Sequence, residues 1–325
     1  MKTKILVVQR FYYNFREGFF ENLNAIEPNF VLLNYMKSTG RVIVNKESIK
    51  KNYIKNIWAF LLGKNIVIFP FLFFELIQLN PGVIVTEGGQ NTVNNIQIYL
   101  YSLLFRKKYI IWDLGRGYMS VSKNLLRNIY IKIYTIIAKK AAFIYGYNNE
   151  SKSYFESLGI CSNNIIVLNN TVDTITIKKI IESDEEISVD SIALPANKIN
   201  IIFVGSLLPS KNIESLASIL RLLGDKYHLM ILGSGQKEFE ENLKQVFLGT
   251  NHTFFGYKNQ NQLLPYYKNA SFSILPGLGG LAINQSMAFG LPVLCTKADG
   301  AEKDIIIMDK NGYIYSDTSD VVNYI

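Results

Sequence analysis

At 325 residues, 49% of them apolar, the chain is long enough for two domains with separate cores and too rich in core-forming side chains to be disordered. Its two cysteines, Cys161 and Cys295, lie in unrelated contexts far from His228 and His252, which excludes a disulfide framework and a cysteine-based zinc site. The net charge of +8 is uneven: residues 1–180 carry 23 Lys and Arg against 10 Asp and Glu, residues 181–197 hold five acids and no base, and residues 198–325 hold 11 of each. A basic first half suits a phosphate-rich partner, whether an anionic lipid headgroup, a lipid-linked pyrophosphate or nucleic acid, and equally a plain solvated surface.

Residues 1–4 lead straight into an apolar strand over 5–8 with no secretory signal pattern, so a cytosolic chain is expected. A helix over 15–23 follows, with Phe19, Phe20 and Leu23 on one face. The most apolar stretch, 57–79, is interrupted by Lys64, Pro70 and Glu75. It reads as buried structure, because a spanning helix needs about 20 unbroken apolar residues. Strands over 83–86, 109–112, 143–145 and 165–168 then alternate with helices over 92–105, 125–142 and 151–158. That alternation is the pattern of a parallel, doubly wound sheet. The polar and acidic segment 169–198 reads as a linker, giving expected domains of 1–175 and 198–325 with 176–197 between them.

The second half repeats the pattern. Strands are expected over 199–204, 228–232, 253–255, 272–275, 293–295 and 312–315, and helices over 213–223, 236–247, 261–269 and 281–289. Gly290 and Pro292 stop the last of these helices. Between the strand at 272–275 and that helix lies a Gly-rich turn, 277–280. Such a turn offers free backbone N–H groups and the positive end of a helix dipole, a seat for phosphate, although an ordinary turn of a parallel sheet looks the same. Gly233-Ser234-Gly235 lacks the third glycine of a dinucleotide fingerprint, since Glu238 stands there.

Gly280-Leu281, Gln285-Ser286-Met287-Ala288 and Gly290-Leu291-Pro292-Val293 resemble the nucleotide-sugar signature of GT-B glycosyltransferases, above all family 4, which reads E-G-F-G-L, a short gap, then E-A-M-A-x-G-x-P-V. Gly277 stands where the first Glu of that signature belongs and Gln285 replaces the second. Residues 9–23, 80–89, 110–117, 168–173 and 204–212 are similar, in this order, to further segments of bacterial family 4 enzymes. The resemblance implies an α/β GT-B fold of two Rossmann-like domains facing across a cleft, the first binding acceptor and the second the donor. Members of that family usually continue with more helices, so a chain ending at Ile325 is expected to be either unusually short or missing its C-terminus.

The function so implied is hexosyl transfer, retaining and metal-independent, from a nucleotide sugar to a lipid-linked glycan in capsule, exopolysaccharide or lipopolysaccharide synthesis. The nucleotide sugar is a substrate, and no separate cofactor or metal is implied; no Asp-x-Asp motif occurs. The basic first domain would dock on the inner face of the cytoplasmic membrane without inserting, and no nucleic-acid motif is present. On the donor side, Lys211 holds the place of the family's diphosphate-binding Lys while Ser206 replaces its Arg. Gly279, Gly280, Leu281 and Ala282 supply backbone donors, and Gln285 meets the ribose. The family's acceptor-side His position is Leu114, which leaves Asp113 and then Glu87 as catalytic candidates. Arg10, Tyr13 and Arg16 are candidates for an anionic acceptor. The substituted signature equally fits a GT-B protein that has lost catalysis and serves as the binding partner of an active transferase.

Overall fold

The computed structural model describes residues 4–12, 16–35, 51–62, 66–115, 125–183, 192–298 and 300–325. They belong to two compact units, Met1–Asn169 and Asn170–Ile325.

The first unit begins with β1 (Ile5–Phe11), α1 (Glu17–Ile26), β2 (Phe30–Tyr35) and β3 (Ile54–Asn56). A hairpin, β4 (Phe60–Leu62) and β5 (Ile66–Ile68), leads into α2 (Leu72–Leu79). Then come β6 (Val83–Glu87), α3 (Thr92–Phe105), β7 (Lys108–Asp113), α4 (Leu125–Lys140), β8 (Phe143–Gly146), α5 (Asn149–Ser157) and β9 (Ile165–Val167). The main sheet runs β3-β2-β1-β6-β7-β8-β9 and every pairing in it is parallel. Alternation along β1 sends Leu6 and Val8 to one face and Val7 to the other, so two cores form, one on each side of the sheet. Leu6 and Val8 meet Leu72, Leu76, Ile98 and Tyr134, whereas Val7 meets Phe20, Phe30 and Tyr53.

The expectation that 57–79 is buried needs correction. Ile57, Ala59, Val67, Phe69, Leu72 and Leu76 are buried, but their neighbours Trp58, Phe60, Leu61, Leu62, Phe71 and Phe74 are exposed. The segment is a hairpin and a short helix lying on the outside of the sheet, and only its inner side reaches the core.

The second unit contains α6 (Thr174–Glu182), β10 (Ile199–Val204), α7 (Ser215–Leu223), β11 (Tyr227–Leu232), α8 (Lys237–Val246) and β12 (His252–Gly256). It continues with α9 (Leu264–Lys268), β13 (Phe272–Leu275), α10 (Leu281–Ala288), β14 (Val293–Thr296), α11 (Ala301–Ile305), β15 (Gly312–Tyr315) and α12 (Thr318–Tyr324). Its sheet runs β12-β11-β10-β13-β14-β15, again with every pairing parallel. Within the segment 169–198 read from sequence as a linker lies α6, started by Asp173, whose carboxylate accepts from the Thr176 N–H at 3.0 Å. That helix packs on α10, and Asn284 of α10 donates to the Asn170 carbonyl at 3.1 Å. The last helix, α12, packs on α7 through the buried Val321.

In each sheet the first strand ends up inside, because the chain works outward on one side and then returns to the other. β1 separates β2 from β6, and β10 separates β11 from β13. Such a reversal opens a crevice at the carboxyl ends of the two strands, where open α/β sheets place their ligands.

Candidate functional site

In the second unit that crevice lies between the ends of β10 and β13, and three turns gather there. The turn after β10 pairs with the one after β11: Leu207 N–H donates to the Ser234 carbonyl at 2.9 Å and Gly205 N–H to the Leu232 carbonyl at 3.0 Å. A Cβ at Gly233 would lie 1.8 Å from the Gly205 carbonyl oxygen, so this approach requires glycine. The turn after β13 is fastened to residues 209–212 by Leu278 N–H to the Ser210 carbonyl at 3.1 Å and by Asn212 to the Pro276 carbonyl at 3.3 Å. The Lys211 ammonium donates to the Leu278 carbonyl, which ties the two turns together.

Gly277 is the tightest point. A Cβ there would meet the Lys211 carbonyl carbon at 2.6 Å and the Ser210 carbonyl oxygen at 2.7 Å. The position where the signature has its first Glu is therefore closed to any side chain, because backbone from the neighbouring turn fills the space.

Gly280 caps α10 at φ +55°, a left-handed conformation that glycine adopts freely. The N–H groups of Gly279, Gly280 and Leu281 stand at the mouth of the helix. The Ala282 N–H, expected among these donors, instead closes the turn on the Gly279 carbonyl at 3.2 Å, which removes it from the set. Gln285, one turn along, is half-buried. Among the described residues its side-chain amide makes no hydrogen bond. Ser206 is exposed at the end of β10. The helix is held against the sheet by Ser286 Oγ donating to Ser273 Oγ at 2.9 Å and by Phe289 stacked on Tyr267 at 4.4 Å. Glu302, which sequence reasoning missed, is 1% exposed and accepts from the Ala298 and Gly300 N–H groups at 2.8 and 3.0 Å, clamping the loop after β14. A lone Glu in the first turn of a five-residue helix gave no signal of that role.

The first unit builds a second cluster at the β1–β6 crevice. Arg10, near the end of β1, pairs with Glu87, at the end of β6: Nε to Oε2 is 2.8 Å, and the Arg10 N–H reaches the same oxygen at 3.2 Å. Asp113 ends the next strand, β7. Its carboxylate accepts from the Tyr134 hydroxyl at 2.5 Å and from Gly115 N–H at 3.3 Å. Burial raises the pKa of Asp113, opposed in part by the Tyr134 hydrogen bond, and pushes Tyr134 well above the usual phenol range. Gly88 makes room for this carboxyl, since a Cβ there would fall 2.2 Å from Asp113 Oδ2.

Arg16 lies with its guanidinium 4.4 Å from the Trp112 ring centroid and donates to the Tyr147 hydroxyl, while Tyr147 stacks on Trp112 at 5.7 Å. Tyr13 lies outside the described residues. Leu114, in place of the family's His, gives its carbonyl to the Ser151 hydroxyl at 2.7 Å. Arg10, Arg16, Glu87 and Asp113 therefore converge on the carboxyl ends of neighbouring strands, but each is already engaged. Sequence reasoning missed three further polar groups at this edge. Among the described residues, the side-chain amides of Gln9 and Asn34 and the indole N–H of Trp112 are buried with no hydrogen-bond partner, an uncommon state in a folded protein. Their sequence signal is a polar residue near the end of an otherwise apolar strand.

Among the described residues, no three His, Cys, Asp or Glu side chains gather as metal ligands. The model of the family described as Glycosyl transferases group 1 matches residues 184–324. An uncharacterized glycosyltransferase of Haemophilus influenzae is 31% identical over 136 residues, which is 37% of this chain and 38% of that protein. The chain thus matches well under half the length of this curated relative. Among solved structures, a glycosyltransferase from Rickettsia africae superposes with a TM-score of 0.72 at 16% identity, covering 99% of this chain and 87% of that one. The Anabaena protein Alr3699/HepE in complex with UDP gives 0.71 at 15% identity, covering 100% and 88%. The fold is GT-B, and the match to the Glycosyl transferases group 1 model falls within the second unit.

Proposed function

We propose that this GT-B chain transfers a sugar from a nucleotide-sugar donor to a lipid-linked glycan acceptor, with retention and without a metal, in the building of a bacterial surface polysaccharide. The observation that carries the donor half is the Gly-rich turn opening α10 at the β10–β13 crevice, inside the matched family domain. The Anabaena neighbour's complexes with UDP and with UDP-glucose support a uridine donor here. In this reading the N–H groups of Gly279, Gly280 and Leu281 receive the diphosphate, and the Lys211 ammonium offsets the charge that develops on it as the sugar leaves. Gln285 accepts from the ribose without a carboxylate's charge, and exposed Ser206 borders the same space.

On the acceptor side, Glu87 and Asp113 position the incoming hydroxyl and draw its proton, while Arg10 and Arg16 meet an anionic group of the acceptor. The net positive charge of residues 1–180 favours an acceptor at an anionic inner-membrane surface.

A second reading, a silent transferase acting as the partner of an active one, is favoured by a single observation: the close contact at Gly277 shuts out the acid that the family signature places there. Calorimetric titration with UDP, GDP, CMP and their common sugar conjugates, followed by a donor-hydrolysis assay, separates the readings. Binding of one nucleotide sugar that is lost in Lys211→Ala, together with turnover, supports the transferase. Binding without turnover supports the silent partner, and absence of binding at millimolar ligand overturns the donor site.

A further inference from the structure

The outside of the first unit is apolar where the β4–β5 hairpin, α2 and α3 come together. On α2, Phe71, Phe74 and Ile77 recur at three-residue spacing on the outer side, with Phe74 63% exposed, while Leu72 and Leu76 turn inward. On α3, Leu100, Leu103 and Leu104 do the same, and Leu104 is 69% exposed. A surface helix ordinarily turns its polar residues outward, and α3 reverses that rule by burying Asn94, Asn95 and Ser102. The hairpin continues the patch: all three residues of β4 are exposed, and Trp58, 58% exposed just before it, lies 4.3 Å from Phe60 and 6.1 Å from Phe71 by ring centroids. With α2 packed on α3, these exposed apolar side chains lie on adjoining elements, unlike the scattered apolar residues of an ordinary exterior.

Cations rim this surface. Arg106, Lys107 and Lys108 follow α3 directly, and α4, packed on α3, presents Lys132, Lys139 and Lys140 outward. Glu75 is the only acid in the hairpin, α2, α3 and α4, and it is paired with Lys55. A second copy of this face would bring two basic rims together, so charge disfavours self-association. An anionic bilayer satisfies both halves of the surface, taking aromatic side chains at the headgroup–acyl boundary and placing phosphates beside the Lys and Arg.

We infer that this face seats in an anionic phospholipid bilayer, with Trp58, Phe71 and Phe74 entering the acyl boundary and Arg106, Lys107, Lys108 and the α4 lysines on the headgroups. The inference builds on the proposal of a membrane-borne acceptor and goes beyond docking by charge alone. Its test contains neither donor nor acceptor, so it fails or succeeds separately from turnover. In flotation with phosphatidylcholine vesicles containing phosphatidylglycerol, the full chain is expected to rise with the lipid. Bromine-labelled acyl chains are expected to quench tryptophan emission, and Trp58→Phe to abolish that quenching. Trp58→Ser with Phe71→Ser and Phe74→Ser is expected to weaken binding by about tenfold or more. Its thermal unfolding should hold or improve, because the three side chains are exposed. The inference is overturned if the triple variant floats as well as the native chain. It is equally overturned if bound protein shows no quenching of Trp58, which would mean adsorption by charge alone. A native dimer that the triple variant splits, with no lipid binding, would assign the face to a second copy instead.

Discussion

Backbone carbonyl groups press on Gly277 from the turn at 209–212, and they cannot rotate aside as a side chain can. Gly277→Ala is therefore expected to lower stability by about 1–3 kcal/mol, read as a reduced midpoint in urea unfolding. Gly277→Glu, which rewrites the family signature, should be at least as costly and should not raise turnover by itself. Lys211→Ala removes both the tie to the Leu278 carbonyl and the cation proposed for the diphosphate. UDP binding by calorimetry should weaken by about tenfold or more. Gln285 offers the opposite test. Its amide is unengaged among the described residues, so Gln285→Glu should tighten UDP by about fivefold through a charge-assisted bond to the ribose, without disturbing the fold. The Gly-rich turn and Lys211 were legible in the sequence as motif positions. The pinch between them was not, because Lys211 and Leu278 are 67 positions apart and nothing local announces their contact. The same holds for the Tyr134 hydroxyl on Asp113, 21 positions away.

Elements sort by how much of their environment is local. The helix over 92–105 and the strand over 312–315 match the structure at both ends, because Asn91-Thr92 and Gly312 mark their starts in the chain itself. β2 was not expected. Its run Phe-Val-Leu-Leu is short and apolar without alternation, a pattern that a strand and a buried helix share. β3 and β4, each of three residues, are too short for any period to show. Inside β11, His228 is 1% exposed, 3.2 Å from Asn200 Oδ1 and 2.9 Å from Thr253 Oγ1. Desolvation, with His252 and Lys198 adding to it, brings its pKa down from the ordinary 6.5 to about 4. The folded state thus refuses a proton that the unfolded chain accepts. The stability this histidine leaves intact above pH 6.5 is lost as pH falls from 6.5 towards 4, by up to about 3 kcal/mol. Urea unfolding across that window should show a steeper loss in the native chain than in His228→Gln, and parallel curves would refute the assignment. In the loop after β14, Glu302→Ala removes the carboxylate that the Ala298 and Gly300 N–H groups reach, the second of them buried, and is expected to cost about 1–3 kcal/mol in the same assay.

For the molecule as a whole, two units with separate cores allow ligand effects to be mapped apart. UDP should raise hydrogen-exchange protection over 205–212 and 277–285 while leaving β1, β6 and β7 unchanged; protection rising equally in both units would overturn the division of labour. The doubly wound architecture was legible because parallel strands buried on both faces read as short apolar runs between helices. The outward apolar face of 57–79 was not legible, since hydrophobicity alone does not say which way a side chain points. Strand order has a consequence for synthesis. β1 is a central strand whose second neighbour, β6, begins only at Val83, and β10 waits likewise for β13 at Phe272. A nascent chain leaving the ribosome must therefore hold each central strand half-paired, its open edge exposed to other nascent chains, until a long stretch of sequence has followed. Slower elongation just before either returning strand would lengthen that exposure, so the coding sequence ahead of Val83 and Phe272 bears on the yield of folded protein.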